Sequence, residues 1–172
     1  TDVAVGPGGN LYISDNTNLR IRKVTFSGAS GRDGTPPSIS ANGVVNGASF
    51  QPGAAANSWV TILGNNLASA TDTWANAIVD GKLPTSLDGV SVTIGGKAAY
   101  VQFVSPGQLN VIAPDAADGT VTVSVMNGLG TSAAVSATLA RQNPAFFAMA
   151  GKYAVATRQD YTLAVAAGTF PG

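Results

Sequence analysis

The sequence predicts an all-β protein, an antiparallel sandwich or barrel, and three observations carry that prediction. Only 10% of its 172 residues are charged, against roughly 25% in an average soluble domain. Val and Thr, which favour the pleated surface of a sheet, are abundant beside Gly (21 residues), Asn, Ser and Pro, which make its turns. Short runs of apolar alternation recur from residue 2 to residue 139, each bounded by turn residues, and that spacing belongs to sandwiches and barrels.

The run at 59–63 (WVTIL) organises the rest. It places Trp59, Thr61 and Leu63 on one side of a strand and Val60 and Ile62 on the other, with Pro52 and Gly53 before it and Gly64, Asn65 and Asn66 after it. Trp59, as the first residue of this central strand, is expected in the core. Upstream, 2–5, 11–14 and 19–24 read as three strands joined by turns at 6–9 and 15–18. Downstream, 89–94 (GVSVTI) and 98–104 (AAYVQFV) flank Gly95 and Gly96, a two-residue hairpin signal. Residues 108–113 follow a turn at 105–107, and 120–126 and 131–139 flank a second hairpin turn at 127–130. Between these, 69–86 reads either as a long polar loop or as a short helical turn over 73–78 capped by Asp72. Phe146 and Phe147 are expected to clamp the sandwich shut from inside, and two short strands are expected at 152–157 and 161–165. The organisation is therefore a strand meander at 1–26, a Gly, Ser and Pro-rich linker at 27–41, a sandwich at 42–141 and strands at 142–172 leading toward a further module.

Composition excludes several function classes. Nine basic and nine acidic residues cancel, so neither a nucleic acid nor an anionic membrane is an expected partner. No apolar run approaches the length of a membrane-spanning helix, and the first residues lack the basic and apolar regions of a signal peptide. The chain is expected to be soluble, without membrane insertion, and a piece of something longer. His and Cys are both absent, which removes Ser-His and Cys-His nucleophile pairs, Cys or His zinc sites and disulfides. No cofactor and no metal site is expected. A chain free of Cys is compatible with secretion.

Two stretches resemble known families. Residues 1–25 hold an entry strand (DVAV), a core (GNLYISD) and a final strand (RIRKV), and this pattern resembles one NHL repeat. Such repeats build β-propellers in which each blade buries its faces against its neighbours. From 42 to about 139 the ordered motifs are VNGASF at 45–50, SWVTILGNNL at 58–67, LPTSLDGVSV at 83–92, YVQFVSPGQLNV at 100–111 and Ala113 with Pro114. Together they resemble an uncharacterised C-terminal domain of secreted Acidobacteria (Solibacter-type) proteins, and the first strand with its GNNL also looks like the IPT/TIG branch of immunoglobulin-like domains. The resemblance implies an immunoglobulin-like antiparallel β-sandwich, preceded by an NHL-like β-meander, in a secreted or cell-surface protein. It implies no chemistry.

Asp is the only acid in the chain, since Glu is absent. Asp72, Asp80 and Asp88 lie in or beside the long loop, and Asp115 and Asp118 lie in the turn after Pro114. A glycoside hydrolase needs two carboxyl groups about 5–9 Å apart, and these five are the candidates. The plainer reading is that Asp bonds its own backbone in turns. Trp74, with Asn76 and Asp72 beside it, is a candidate ligand-binding group, because an exposed indole stacks on a sugar face while Asn and Asp bond its hydroxyls. The alternative is that Trp74 folds back as a lid on the sandwich edge. Residues 15–18 (DNTN) are oxygen-rich but lack the Gly and terminal Glu of an EF-hand loop, and read as an Asx turn. Ser58, Ser86 and Ser105 have no His base, and Lys82, Lys97 and Arg158 read as solvated charges.

These residues support a non-catalytic, extracellular immunoglobulin-like spacer, adhesion or carbohydrate-contacting module whose partner is a glycan or cell-surface polymer. Two alternatives stand beside it. One is a small Asp-based glycoside hydrolase. The other is a self-assembling subunit, a homo-oligomer that exchanges strands through open sheet edges.

Overall fold

Period-2 alternation and two-residue turns assemble this chain into sheets. A computed structural model describes residues 3–5, 11–15, 20–24, 34–149, 153–159, 162 and 164. Strands β1 (Val3–Val5), β2 (Leu11–Asp15) and β3 (Arg20–Val24) form the antiparallel meander that their alternation predicts. Most of the turn 15–18 lies outside the described residues.

The sandwich begins with β4 (Ser38–Asn46), inside the stretch read as linker. It continues through β5 (Ala54–Ala55), β6 (Trp59–Asn65), β7 (Asp72–Thr73), β8 (Ser86–Leu87), β9 (Val90–Ile94) and β10 (Lys97–Ala98). Then follow β11 (Tyr100–Val104), β12 (Gln108–Ile112), β13 (Gly119–Asn127), β14 (Gly130–Thr131) and β15 (Val135–Ala140). One sheet runs β4-β6-β12-β11-β7. The other runs β10-β9-β13-β15-β5, with β8 beside β9 and β14 beside β13. Every pairing is antiparallel except β15 with β5. The core between the sheets is aliphatic: Val60, Ile62, Val101, Val104, Leu109 and Val111 from the first meet Val90, Val92, Ile94, Val123, Val125 and Leu139 from the second. Each such side chain, fully buried, contributes about 1.5–3 kcal/mol. No helix among the described residues is long and apolar enough to cross a membrane.

Turn chemistry explains where the strands reverse. Asp88 (φ 49) and Gly89 (φ 74) join Leu87 to Val90, and Gly95 (φ 59) and Gly96 (φ 78) join Ile94 to Lys97. Two consecutive positive φ angles in a two-residue loop make the tight turn whose twist matches the flanking strands.

The hairpin at Gly95 and Gly96 is much shorter than its flanking alternation suggests. Only Lys97 and Ala98 pair back onto β9; the chain then crosses at buried Ala99, and β11 joins the opposite sheet. Alternation is satisfied equally by a strand in either sheet, so the pattern alone does not reveal the crossing. The second hairpin forms, but its returning arm breaks: Met126 pairs with Thr131 and Val123 with Val135, a shift of one residue. Buried Ser132 covers the break, its Oγ accepting the Val125 N–H at 3.1 Å.

Three further expectations are corrected. The helical turn is a single 3-10 turn, Trp74–Asn76, and Asp72 does not cap it: Asp72 is a strand residue whose carboxylate accepts the adjacent Thr73 N–H at 2.7 Å. Trp59 is 37% exposed, because the side of β6 that faces the core is the one bearing Val60 and Ile62. Phe146 and Phe147 are 78% and 52% exposed, so they are no internal clamp; the core closes without them. They precede β16 (Ala148–Met149), which pairs with β17 (Tyr153–Ala154). The strands expected at 152–157 and 161–165 lie partly outside the described residues.

Candidate functional site

The outer face of the five-stranded sheet carries a feature that the core does not need. Strand β6 presents Trp59 and Thr61 outward, and β12 presents Asn110 directly opposite Thr61. From the far edge, β7 pairs with β11 through Thr73 with Phe103 and Asp72 with Val104, and this pairing hangs Trp74 at the margin of the sheet. Strands β7 and β6 are three spacings apart, roughly 14 Å at about 4.8 Å each. The two indoles close that gap: their ring centroids lie 5.8 Å apart with the planes tilted by 54°. Tilted contacts of this kind suit the aromatic quadrupole.

A pocket of about 360 Å³ opens beside the pair, lined by Gly47, Trp59, Val60, Thr61, Trp74, Gln102, Asn110 and Phe147. Its volume falls at the lower end of the range of about 300–1,000 Å³ that small-molecule sites occupy. No charged residue lines it among the described residues. Gln102 reaches it through a bulge. Val101 pairs with Val111 and Phe103 with Asn110, so Gln102 is an inserted residue between them. Because Val101 and Val104 both point into the core, Gln102 and Phe103 are left between them on a locally re-aimed strand. Bulges serve this purpose beside binding sites.

Hydrogen bonds orient the polar floor. Thr61, only 2% exposed, donates its hydroxyl to Asn110 Oδ1 at 3.1 Å, and Gln108 Nε2 donates to the same oxygen at 2.9 Å. Two donors on one oxygen identify it as the carbonyl end of the amide. Asn110 Nδ2 is therefore left as a donor, and neither it nor the Gln102 amide has a hydrogen-bond partner among the described residues.

Asn46 builds the remaining wall. Buried at the end of β4, it accepts the Ala48 and Ser49 N–H groups on Oδ1 and donates Nδ2 to the Asn143 carbonyl at 2.9 Å. One side chain thus ties down both the turn carrying Gly47 and the segment carrying Phe147. Gly47 donates its N–H to the Trp59 carbonyl at 2.8 Å, and a Cβ there would lie 2.8 Å from the Trp59 Cβ. Close approach, not a positive φ, requires this glycine.

Of the catalytic and ligand-binding candidates named from the sequence, Trp74 alone lines the pocket; Asn76 and Asp72 are exposed and do not. Asp72, Asp80, Asp88, Asp115 and Asp118 are all exposed, and none lines it. Asp80 and Asp88 hold positive-φ turn positions, each followed by Gly. Lys97 Nζ bonds the backbone carbonyl of Asp115 at 2.7 Å, not its carboxylate. No group of three or more acidic residues that could hold a metal occurs among the described residues. Trp59 and Phe147, expected in the core, line the pocket, and Thr61, Gln102 and Asn110 line it without having been site candidates. Thr61 and Asn110 had a visible signal, as polar positions alternating with buried ones; the bulge at Gln102 had none.

Several solved structures are similar to part of this chain. The γ-CGTase of alkalophilic Bacillus clarkii matches with 17% identity and a TM-score of 0.43, over 70% of this chain and 14% of that one. SGBP-B from a complex xyloglucan utilization locus of Bacteroides uniformis matches with 20% identity and a TM-score of 0.41, over 80% and 35%. SGBP-B of the Bacteroides ovatus mixed-linkage glucan locus, in complex with a mixed-linkage heptasaccharide, matches with 19% identity and a TM-score of 0.37, over 76% and 29%. The chain thus spans well under half the length of each, and at such low identity and overlap none of them assigns it a ligand. No curated protein matches the sequence. The family model for the IPT/TIG domain matches residues 48–139. That span takes in the sandwich from β5 to β15 and more than half of the chain, and the chain belongs to the IPT/TIG domain family.

Proposed function

We propose that this chain is an extracellular, non-catalytic immunoglobulin-like module that contacts a neutral glycan through the outer face of its five-stranded sheet. The observation that carries the reading is the Trp59–Trp74 pair set over an uncharged floor with free amide groups. A sugar ring is apolar on its faces and polar around its rim. An indole surface desolvates the face, and amides replace the water on the hydroxyls. A charged ligand would lose its hydration here with no opposite charge facing it from the described lining residues.

Calorimetric titration of the intact chain against soluble neutral and acidic polysaccharides tests this. The expected outcome is binding of at least one neutral polysaccharide, weakened by about 2 kcal/mol, roughly thirtyfold, in Trp74→Ala. Silence of the wild-type protein across the panel would end the proposal.

A further inference from the structure

Resting on that reading, we infer that the site takes one neutral pyranose unit rather than a stretch of polysaccharide, and that Gln102 and Asn110 read its hydroxyls. The arrangement of the indoles is the first reason. A sugar held between two ring faces needs two van der Waals contacts of about 3.5–4.0 Å each, roughly 7–8 Å between the planes. Centroids only 5.8 Å apart leave no such slot. The rings touch each other, and a ligand meets them from one side. Planes inclined at 54° also share no flat surface along which successive units of an extended chain could lie.

Size limits the ligand as well. At about 360 Å³ the pocket stands near the bottom of the range of about 300–1,000 Å³ for small-molecule sites, too small for a run of several sugar units. Phe147 and Gly47 line the same pocket, and the turn and segment that carry them are tied together by Asn46.

The polar groups then set specificity. Asn110 has its carbonyl oxygen occupied by Thr61 and Gln108, so it offers Nδ2 as a donor to a hydroxyl oxygen. Gln102, on its bulge, offers both ends of its amide and can donate or accept. Among the described residues of the lining, a sugar carboxylate would find amides but no cation.

Trp59 and Trp74 are the two tryptophans of the chain, so intrinsic fluorescence reads this site directly. The experiment titrates the intact chain with the methyl glycosides of glucose, galactose, mannose and xylose, with their oligomers up to the hexasaccharide, and with glucuronic and galacturonic acids. The expected result is saturable quenching by at least one neutral glycoside, with affinity rising less than about threefold from disaccharide to hexasaccharide and with uronic acids at least about tenfold weaker. Gln102→Ala should weaken binding about fivefold, the equivalent of one hydrogen bond, and change the ranking among sugars that differ at one hydroxyl, with the urea midpoint unmoved. Asn110→Asp keeps both internal hydrogen bonds and exchanges the donor for a charge, so it should weaken binding in a protein that still folds. A gain of tenfold or more from disaccharide to hexasaccharide, or uronic acids binding as well as their neutral parents, overturns the single-unit inference while leaving glycan binding intact. No response to any sugar overturns both.

Discussion

On strand β6 the inward side carries Val60 and Ile62, both fully buried, while the outward side carries Trp59, Thr61 and Leu63. The same division runs across β12, with Leu109 and Val111 inside and Gln108 and Asn110 outside. The inner face is held by burial, which is non-directional and tolerates aliphatic exchange of equal volume. The outer face is held by directional contacts: a Thr hydroxyl and a Gln amide converging on one oxygen, and two indoles at a fixed tilt. One sheet therefore separates two tasks. Its inner face supplies stability, and its outer face supplies a shaped surface at little cost to the core.

Substitutions can break this comparison. The largest expected effect is on the inner face, where Ile62→Ala should destabilise the protein by about 2–5 kcal/mol through lost burial and a residual cavity. Urea unfolding measures it, and a loss below about 1 kcal/mol would mean the core is looser than its burial implies. A smaller effect is expected on the outer face. Asn110→Ala removes the acceptor of the buried Thr61 hydroxyl and should cost about 1–3 kcal/mol, whereas Asn110→Asp retains the acceptor and should cost less. If the two variants unfold at the same urea concentration, the hydrogen-bonded floor does not contribute as described. The smallest effect is expected in the turns. Asp88→Asn should leave stability within about 0.5 kcal/mol, because Asn also tolerates the left-handed conformation there. It should leave glycan binding unchanged, since Asp88 is far from contributing to the pocket lining. A binding loss in Asp88→Asn would move the functional site from the aromatic face to the acidic turns.

Much of the fold was legible. Strands β6, β9, β12 and β13 fall close to where alternation puts them, and Gly95 and Gly96 mark a tight turn, while Gly89, read as the start of a strand, belongs to the turn before it. The site was legible only in part. Trp74 stands out as a large aromatic residue in a polar loop, whereas the acids named as candidates do not line the pocket. Asp80 and Asp88 sit beside Gly because both residues of a tight turn need positive φ, a local backbone demand. Phe147 looked like core because it is large and apolar. Its place is set instead by Asn46, whose hydrogen bond to the Asn143 carbonyl spans 97 positions of sequence.

What the sequence by itself determined is local: which residues alternate, where the chain must turn, and which chemistries are impossible without His or Cys. Period 2 states which side chains share a face of a strand. It does not state which face is inside, and on β6 both sets contain apolar residues, so Trp59 with Leu63 competes with Val60 and Ile62 for the core. The tertiary structure decided that contest through the opposing sheet, whose small and branched side chains close around Val60 and Ile62. It also carried β11 into the first sheet at Ala99 and inserted Gln102 as a bulge, because Val101 and Val104 can both reach the core only with an extra residue between them. The pocket follows from those two long-range choices. A pattern with a range of a few residues cannot encode contacts between positions 47, 59, 74, 102, 110 and 147, which meet only when distant strands have paired into one sheet and Asn46 has bonded the segment leading to Phe147.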